Sequence, residues 1–105
     1  MTPRDVLLAA ADHIEAHGWV QGKWGHKGEP CCAEGAIVAV LDGNGGIVFG
    51  ELGPLSAAAK QMLRNALGKA IPAWNDAPGR TAAEVVAALR EAARKAADII
   101  ESKEP

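Results

Sequence analysis

The segment TAAEVVAALREAARKAADII, residues 81–100, has the pattern of a long amphipathic helix. Thr81 followed by Glu84 is a capping box, in which each side chain bonds the backbone N–H of the other at a helix start. The apolar residues that follow recur at the spacing of one helical face: Val85, Val86, Leu89, Ala93, Ala96 and Ile100. The segment therefore predicts a final helix with one buried face.

Three earlier segments also have helical character. Thr2 and Pro3 begin a predicted helix that runs to about Ala16 and ends at Gly18. Further helices are predicted over residues 31–41 and 55–67, and residues 47–49 as a minor extended segment. The tail at 102–105 is expected to fray. We predict an all-α fold in a single domain over residues 1–105, a compact bundle of about four helices.

Composition narrows the class of protein. The 105 residues are 49% apolar and 23% charged, as in a folded globule, and the formal net charge is -2. Basic residues are scattered among acidic ones, which argues against nucleic acid as a partner, because phosphate contacts need a basic face. We expect no membrane span and no signal peptide, since no apolar run approaches about 20 residues. The two adjacent cysteines do not suit a structural disulfide, so we expect a cytoplasmic protein.

Cys31 and Cys32 lie at the predicted start of the second helix. Unpaired N–H groups at a helix start favour a thiolate and lower its pKa, so Cys31 is a candidate nucleophile, with His26 and Asp76 as weaker catalytic candidates. The preferred interpretation is that Cys32 is a core residue and Cys31 a small, partly buried one, since free cysteine is among the most buried residue types. No complete catalytic set is present, and the interpretation as a non-enzyme is preferred.

His13 and His17 are spaced four positions apart, which places both on one helical face within reach of one metal ion. No further pair has zinc-finger spacing, so we expect no metal site. The glycine clusters match neither a P-loop nor a dinucleotide fingerprint, and no cofactor is predicted.

Two predicted loops, residues 19–29 and 71–80, contain the three tryptophans. They can form a binding site for a ligand or partner, or a structural corner that seals the end of the bundle. The candidate binding residues are Trp19, Trp24, Trp74, Asn75, Asp76 and Arg80.

Several short motifs occur together in this chain. They are Gly18-Trp19, Gln21-Gly22, Trp24, Cys31-Cys32, Gly35-Ala36, the run from Trp74 to Thr81, and Glu84-Val85. In this order they resemble a family of small proteins of actinobacteria and their bacteriophages, known only as a domain of unknown function. The resemblance implies a source but no activity. We predict a protein-interaction module, encoded by a phage and directed at a host protein or at itself. The alternative is a small-molecule or metal-binding protein with cysteine-thiol chemistry.

Overall fold

The computed structural model describes residues 2–41 and 53–102, which form five α-helices. They are α1 (Pro3–His17), α2 (Ala33–Leu41), α3 (Pro54–Leu67), α4 (Ile71–Asn75) and α5 (Ala82–Ser102). Within these ranges, the extended backbone pairs only at an isolated parallel bridge between Trp19 and Cys31. The prediction of an all-α fold is confirmed. The predicted extended segment at 47–49 lies outside the described residues.

Side chains fix the starts of the first and last helices. The Thr2 hydroxyl accepts from the Asp5 N–H at 3.1 Å, and the Asp5 carboxylate accepts from the Thr2 N–H at 3.0 Å. The same reciprocal pair joins Thr81 and Glu84 at 3.2 and 2.9 Å. Each box satisfies two N–H groups that have no partner inside the helix. The capping box predicted at the start of α5 is therefore present.

Helix α1 lies at the centre of the bundle, in contact with α2, α3 and α5. Its Leu7 packs in a fully buried cluster with side chains of the other helices, and each large aliphatic side chain in it contributes roughly 1.5–3 kcal/mol through burial. The fully buried aliphatic side chains larger than alanine are Val6, Leu7, Ile37, Leu63, Ile71, Val85 and Leu89. Many core positions hold alanine, which lets the helix axes approach closely.

Two element boundaries differ from the sequence prediction. Helix α2 begins at Ala33 and not at Cys31, because the backbone N–H groups of Cys31 and Cys32 bond to carbonyls of the preceding loop. Residues 71–75, predicted as part of a loop, form the short helix α4. Pro72 accounts for this second difference, since its fixed φ suits the first turn of a helix as well as a loop. The bundle thus has five helices in the described ranges where about four were expected.

The outer surfaces of α1 and α5 are joined by a cluster of exposed charges. The Arg90 guanidinium lies 2.7 Å from Glu15 and 3.1 Å from Asp12. Exposed pairs of this kind add little to stability, so the buried faces hold these helices together. In the two described ranges, no helix combines the length and the apolar character needed to cross a membrane.

Candidate functional site

The two predicted tryptophan-bearing loops meet, although Trp74 and Asn75 lie in α4, and the Asn75 side chain joins the two segments. Asn75 is completely buried. Its Oδ1 accepts from the Trp19 indole N–H at 2.7 Å and from the Ala33 backbone N–H at 2.9 Å. Its Nδ2 donates to the Val20 carbonyl at 3.3 Å and to Asp76 Oδ1 at 2.9 Å. All four hydrogen-bonding positions of the amide are used, so this side chain ties the first loop, the start of α2 and the end of α4 together.

Asp76 and Gln21 extend this network at the surface. Asp76 Oδ1 also accepts from the Gly22 N–H at 3.0 Å, and the bonds from Asn75 and Gly22 lower the pKa of this carboxyl. Gln21 Nε2 donates to the carbonyls of Asn75 and Ala77, each at 3.0 Å. The bonds of Gln21 and Gly22 all cross between the two loops, so the polar groups of this region act as hydrogen-bond partners for one another.

Trp74 and Arg80 form a second contact beside the network. The Arg80 guanidinium stacks 3.9 Å from the centre of the Trp74 ring, and its Nε donates to the Trp74 carbonyl at 3.0 Å. A guanidinium over an aromatic ring is attracted by the negative face of the ring. Arg80 also lies 3.8 Å from Glu84. Trp74 is half-buried and packs against the core, so this pair covers the end of the bundle.

Both cysteines are buried free thiols. The Cys31 Sγ lies 3.4 Å from the carbonyls of His26 and Glu29, and burial raises the pKa of this thiol to about 11. Burial also raises the pKa of Cys32, whose Sγ accepts from the Gly35 N–H at the start of α2. The Cys31 pKa is thus raised and not lowered, because Cys31 precedes the helix and is desolvated, which agrees with the preferred interpretation of the two cysteines as structural residues. Cys31 and His26 are not placed as a catalytic pair, because the Cys31 Sγ contacts the backbone carbonyl of His26 and not its imidazole ring.

His13, which was considered as a metal ligand, instead accepts a hydrogen bond from the backbone of the first loop. It is nine-tenths buried, and its Nε2 accepts from the Gly28 N–H at 3.0 Å. Its Nδ1 is buried without a hydrogen-bond partner, and burial, with a smaller effect of His17, lowers the pKa of the ring. The His17 ring lies 4.7 Å away, between centroids. Within residues 2–41 and 53–102, no group of three or more histidines, cysteines or carboxylates is placed to hold a metal ion.

Trp24 differs from the other two tryptophans because its ring projects from the protein. With 46% of its surface exposed, it is the large hydrophobic residue that the described part of the chain leaves most open. Its backbone is nevertheless fixed: the Trp24 carbonyl accepts from the Cys32 N–H at 3.2 Å. A Cβ on Gly35 would lie 2.0 Å from that carbonyl oxygen, so only glycine permits the approach of the loop to α2. At Gly25, φ is +81° and a Cβ would lie 2.1 Å from the Pro30 oxygen.

One charged side chain lies against the Trp24 ring, and other charged residues lie near Trp24 along the chain. The Lys60 ammonium lies 5.2 Å from the ring centre and 3.5 Å from the Glu34 carboxylate. Both of these side chains are mostly covered, with 13% and 16% of their surfaces exposed. Lys23 and Lys27 flank Trp24 along the loop and are exposed. The ring therefore stands on a fixed backbone, with the Lys60–Glu34 ion pair beside it.

A shallow groove runs between α1 and α5. It has a volume of about 610 Å³ and is lined by small or apolar residues such as Ile14, Gly18 and Val86, with Glu15 and Arg90 also on its wall. Those two charged groups already bind each other. Because the charged groups on the groove wall are already paired with each other, the Trp24 loop is the stronger candidate.

The structure thus brings five of the six predicted binding residues together and leaves the sixth apart. Trp19, Asn75 and Asp76 share one hydrogen-bonded network, and Trp74 and Arg80 stack beside it. Trp24 stands apart. Sequence reasoning missed Lys60 and Glu34, which lie in α3 and α2 and have no motif of their own. It also gave no role to Gly35, although the Gly35-Ala36 pair was among the motifs of the resemblance.

Trp19, Gln21, Asn75 and Asp76, with Trp74 and Arg80 beside them, form a corner in which the two loops interlock. The fold and this corner define a small all-α domain. The chain belongs to the family of unknown function DUF6197, which matches residues 1–95. Neither the search of curated proteins nor that of solved structures found a match.

Proposed function

We propose that this protein is a non-enzymatic protein-interaction module that contacts its partner through the loop around Trp24. The observation that supports this most directly is the 46% exposure of the Trp24 ring. Exposed tryptophans are enriched among the residues that contribute most to protein interfaces, because one side chain supplies a large apolar area and an N–H donor.

The rigidity of the loop adds to this argument. The Trp24 carbonyl is bonded to Cys32, the loop backbone is pressed against Gly35, and the Gly28 N–H is bonded to His13. A side chain held in its bound position loses little conformational entropy on association. The corner built on Asn75 then acts as the support that holds both ends of the loop.

The alternative of a small-molecule or metal site with thiol chemistry has less support. It required an accessible, reactive Cys31, and this thiol is buried with a pKa of about 11. It also drew on Asp76 and Arg80, whose polar atoms bond to neighbouring loop groups.

The cellular setting rests on the resemblance to proteins of actinobacteria and their bacteriophages. We propose that the protein acts in the cytoplasm of an actinobacterium, that a phage genome encodes it, and that its partner is a host protein. Self-association is the alternative within the same class of function.

The experiment compares capture of actinobacterial cytoplasmic proteins by immobilised wild type, Trp24→Ala and Lys69→Ala. Lys69 is an exposed residue outside the Trp24 loop and serves as the control. We expect a protein that wild type and the control retain and Trp24→Ala loses, while the melting temperature of all three stays within a few degrees. Equal retention by folded Trp24→Ala would overturn the proposal, as would a large drop in its melting temperature, which would make the ring structural.

A further inference from the structure

We propose that His13 is a pH-sensitive switch that controls the attachment of the first loop, residues 19–29, to α1. When the His13 ring is neutral, its Nε2 accepts from the Gly28 N–H and holds the tip of the loop against the helix. When the ring takes up a proton, this hydrogen bond is lost and the tip is released. The change lies within this chain and requires no partner.

The hydrogen bond from Gly28 fixes the protonation state of the His13 ring. Nε2 accepts this bond at 3.0 Å and therefore carries no proton, so the proton of the neutral imidazole is on Nδ1. A second proton can bind only at Nε2, which faces the Gly28 N–H. Two donors would then point at each other across 3.0 Å, so the protonated ring and the closed loop are incompatible.

The protonated ring would also lack compensation inside the protein. His13 is nine-tenths buried, and its Nδ1 has no hydrogen-bond partner in the described part of the chain. A buried charge without a partner is costly, so the imidazolium is stabilised by access to water. Gly28 is exposed, and a Cβ placed on it would meet no atom of the described residues within 4 Å. The tip of the loop therefore has room to move away.

The charged groups near His13 oppose a positive ring. The His17 ring on α1 lies 4.7 Å away between centroids, and burial, with smaller effects of His17 and Lys27, lowers the pKa of His13. Asp12 and Glu15, the nearest carboxylates of α1 along the chain, are already paired with an arginine of α5. An open loop restores the ordinary histidine pKa near 6.5, so the open form binds more protons and is favoured as pH falls below about 6.5.

The two ends of the loop have contacts that do not involve His13. The Trp24 carbonyl accepts from the Cys32 N–H, and the Val20 N–H donates to the Cys31 carbonyl, each at 3.2 Å. Neither bond has a titratable member. We therefore expect residues 25–29 to move while the helices and the base of the loop keep their places.

Release of the tip would regulate partner binding at Trp24, a consequence that rests on the proposed function. Gly28 lies four residues after Trp24, and its bond to α1 is one of the contacts that keep this loop in one conformation. A looser loop loses more conformational entropy on association, so binding weakens. Acidification should thus reduce the affinity for the partner without unfolding the protein.

Nuclear magnetic resonance on the ¹⁵N-labelled full chain tests the switch directly. We expect the Gly28 amide and the His13 ring to titrate together, with a midpoint below 6.5. The protection factor of the Gly28 amide against hydrogen exchange should fall by at least about threefold between about pH 7.5 and 5.5. Circular dichroism should show unchanged helix content over this range.

Three variants assign the effect to the His13 ring. His13→Gln supplies an amide oxygen that can accept the Gly28 bond without taking up a proton, so protection should persist at both pH values. His13→Phe has a ring without an acceptor, and the Gly28 amide should exchange rapidly at both. His26→Gln, at an exposed position of the same loop, should keep the wild-type pH dependence.

The switch would be refuted by a Gly28 amide whose protection is independent of pH, by the same pH dependence in wild type and His13→Gln, or by loss of helix content together with Gly28 protection. These measurements need no partner, so their failure leaves the proposed function intact. Capture should weaken by at least about threefold at pH 5.5 for wild type and not for His13→Gln. Equal capture by wild type at both pH values would refute the regulation of binding, whereas capture independent of Trp24 would refute the proposed function and leave the switch.

Discussion

Replacing Asn75 with alanine tests the central element of the corner. The substitution removes the carbonyl that accepts from Trp19 and Ala33 and the amide that donates to Val20 and Asp76. Because Asn75 is completely buried, water cannot take its place without rearrangement of the loops. We expect a loss of folding stability far above that of an ordinary surface substitution.

The magnitude follows from the groups left without partners. Ala33 is fully buried, so its orphaned N–H costs about 1–3 kcal/mol. The Trp19 indole is half-buried and can reach water, which limits its share to about 1 kcal/mol. The small cavity adds about 1 kcal/mol more. The sum, about 3–5 kcal/mol, is a large part of the roughly 5–15 kcal/mol expected for a domain of this size.

Urea and thermal unfolding followed by circular dichroism measure this loss. We expect the melting temperature of Asn75→Ala to fall by about 15 °C or more. Asn65→Ala is the matched control, because Asn65 is exposed and accepts one surface bond from Gln61, and it should cost less than about 0.5 kcal/mol. A loss within about 1 kcal/mol of that control would refute the reasoning that Asn75 holds the loops together.

The isosteric change Asn75→Asp adds a dependence on pH. The new carboxylate would face the Val20 carbonyl and Asp76 Oδ1, where the amide now donates. Its protonated form could still donate one bond, so its pKa in the folded state should rise above about 4. Stability is then present at low pH and lost as pH rises through the folded pKa. Unfolding at pH near 4 and 7 should show the variant closer to wild type at the lower pH.

Three further predictions concern the loop. Gly35→Ala should destabilise the protein by more than about 2 kcal/mol and alter Trp24 fluorescence, although alanine is the better helix former by about 1 kcal/mol, because its Cβ would lie 2.0 Å from the Trp24 carbonyl oxygen. Cys31 and Cys32 should react slowly with a thiol reagent near pH 8 in the native protein and rapidly in urea, since a pKa of about 11 leaves only about one Cys31 in a thousand ionised. Stability should fall as pH decreases through about 6.5, because the lowered pKa of His13 lets the unfolded chain bind more protons.

Each of these three predictions has a control measurement and a result that would contradict it. Ala57, which is exposed on α3, gives the ordinary Gly–Ala difference through Ala57→Gly, and a stabilised Gly35→Ala would contradict the close approach. Native thiols that react as fast as those of the urea-unfolded chain would show that the cysteines are accessible. His13→Gln should flatten the pH dependence while His26→Gln, at an exposed position, should not. Identical slopes for the two histidine variants would remove His13 as the cause.

The helices were predictable because their signals are local. The apolar spacing and the Thr81–Glu84 box specify α5 from a window of a few residues. The short α4 was not predictable in this way, because its five residues are rich in turn formers and depend on the contacts of Asn75 with the distant loop. The early start assigned to α2 had the same cause, since Cys31 pairs with Gly18 instead of beginning a helix.

The candidate site was predictable only in its residue types. The Trp-Asn-Asp run stood out, yet the pattern did not show that Asn75 would be buried and fully bonded while Trp24 would be exposed. Both facts depend on which loops come into contact, and the partners of the Asn75 side chain other than Asp76 lie 42 to 56 positions away. Lys60 came to Trp24 through the packing of α3, which no spacing along the chain records.

The hydrogen bonds of Asn75 also determine when the first loop can fold during synthesis of the chain. Residues 19–33 leave the ribosome well before Asn75, which comes 42 positions after Ala33. Until then the Trp19 indole and the Ala33 N–H lack the acceptor they share, and contacts between residues so distant in sequence form slowly. The first loop, with Trp24, should therefore take its final shape only after synthesis has passed α4, which ends at Asn75. A chain that stops before α4 would expose this tryptophan without the support that positions it.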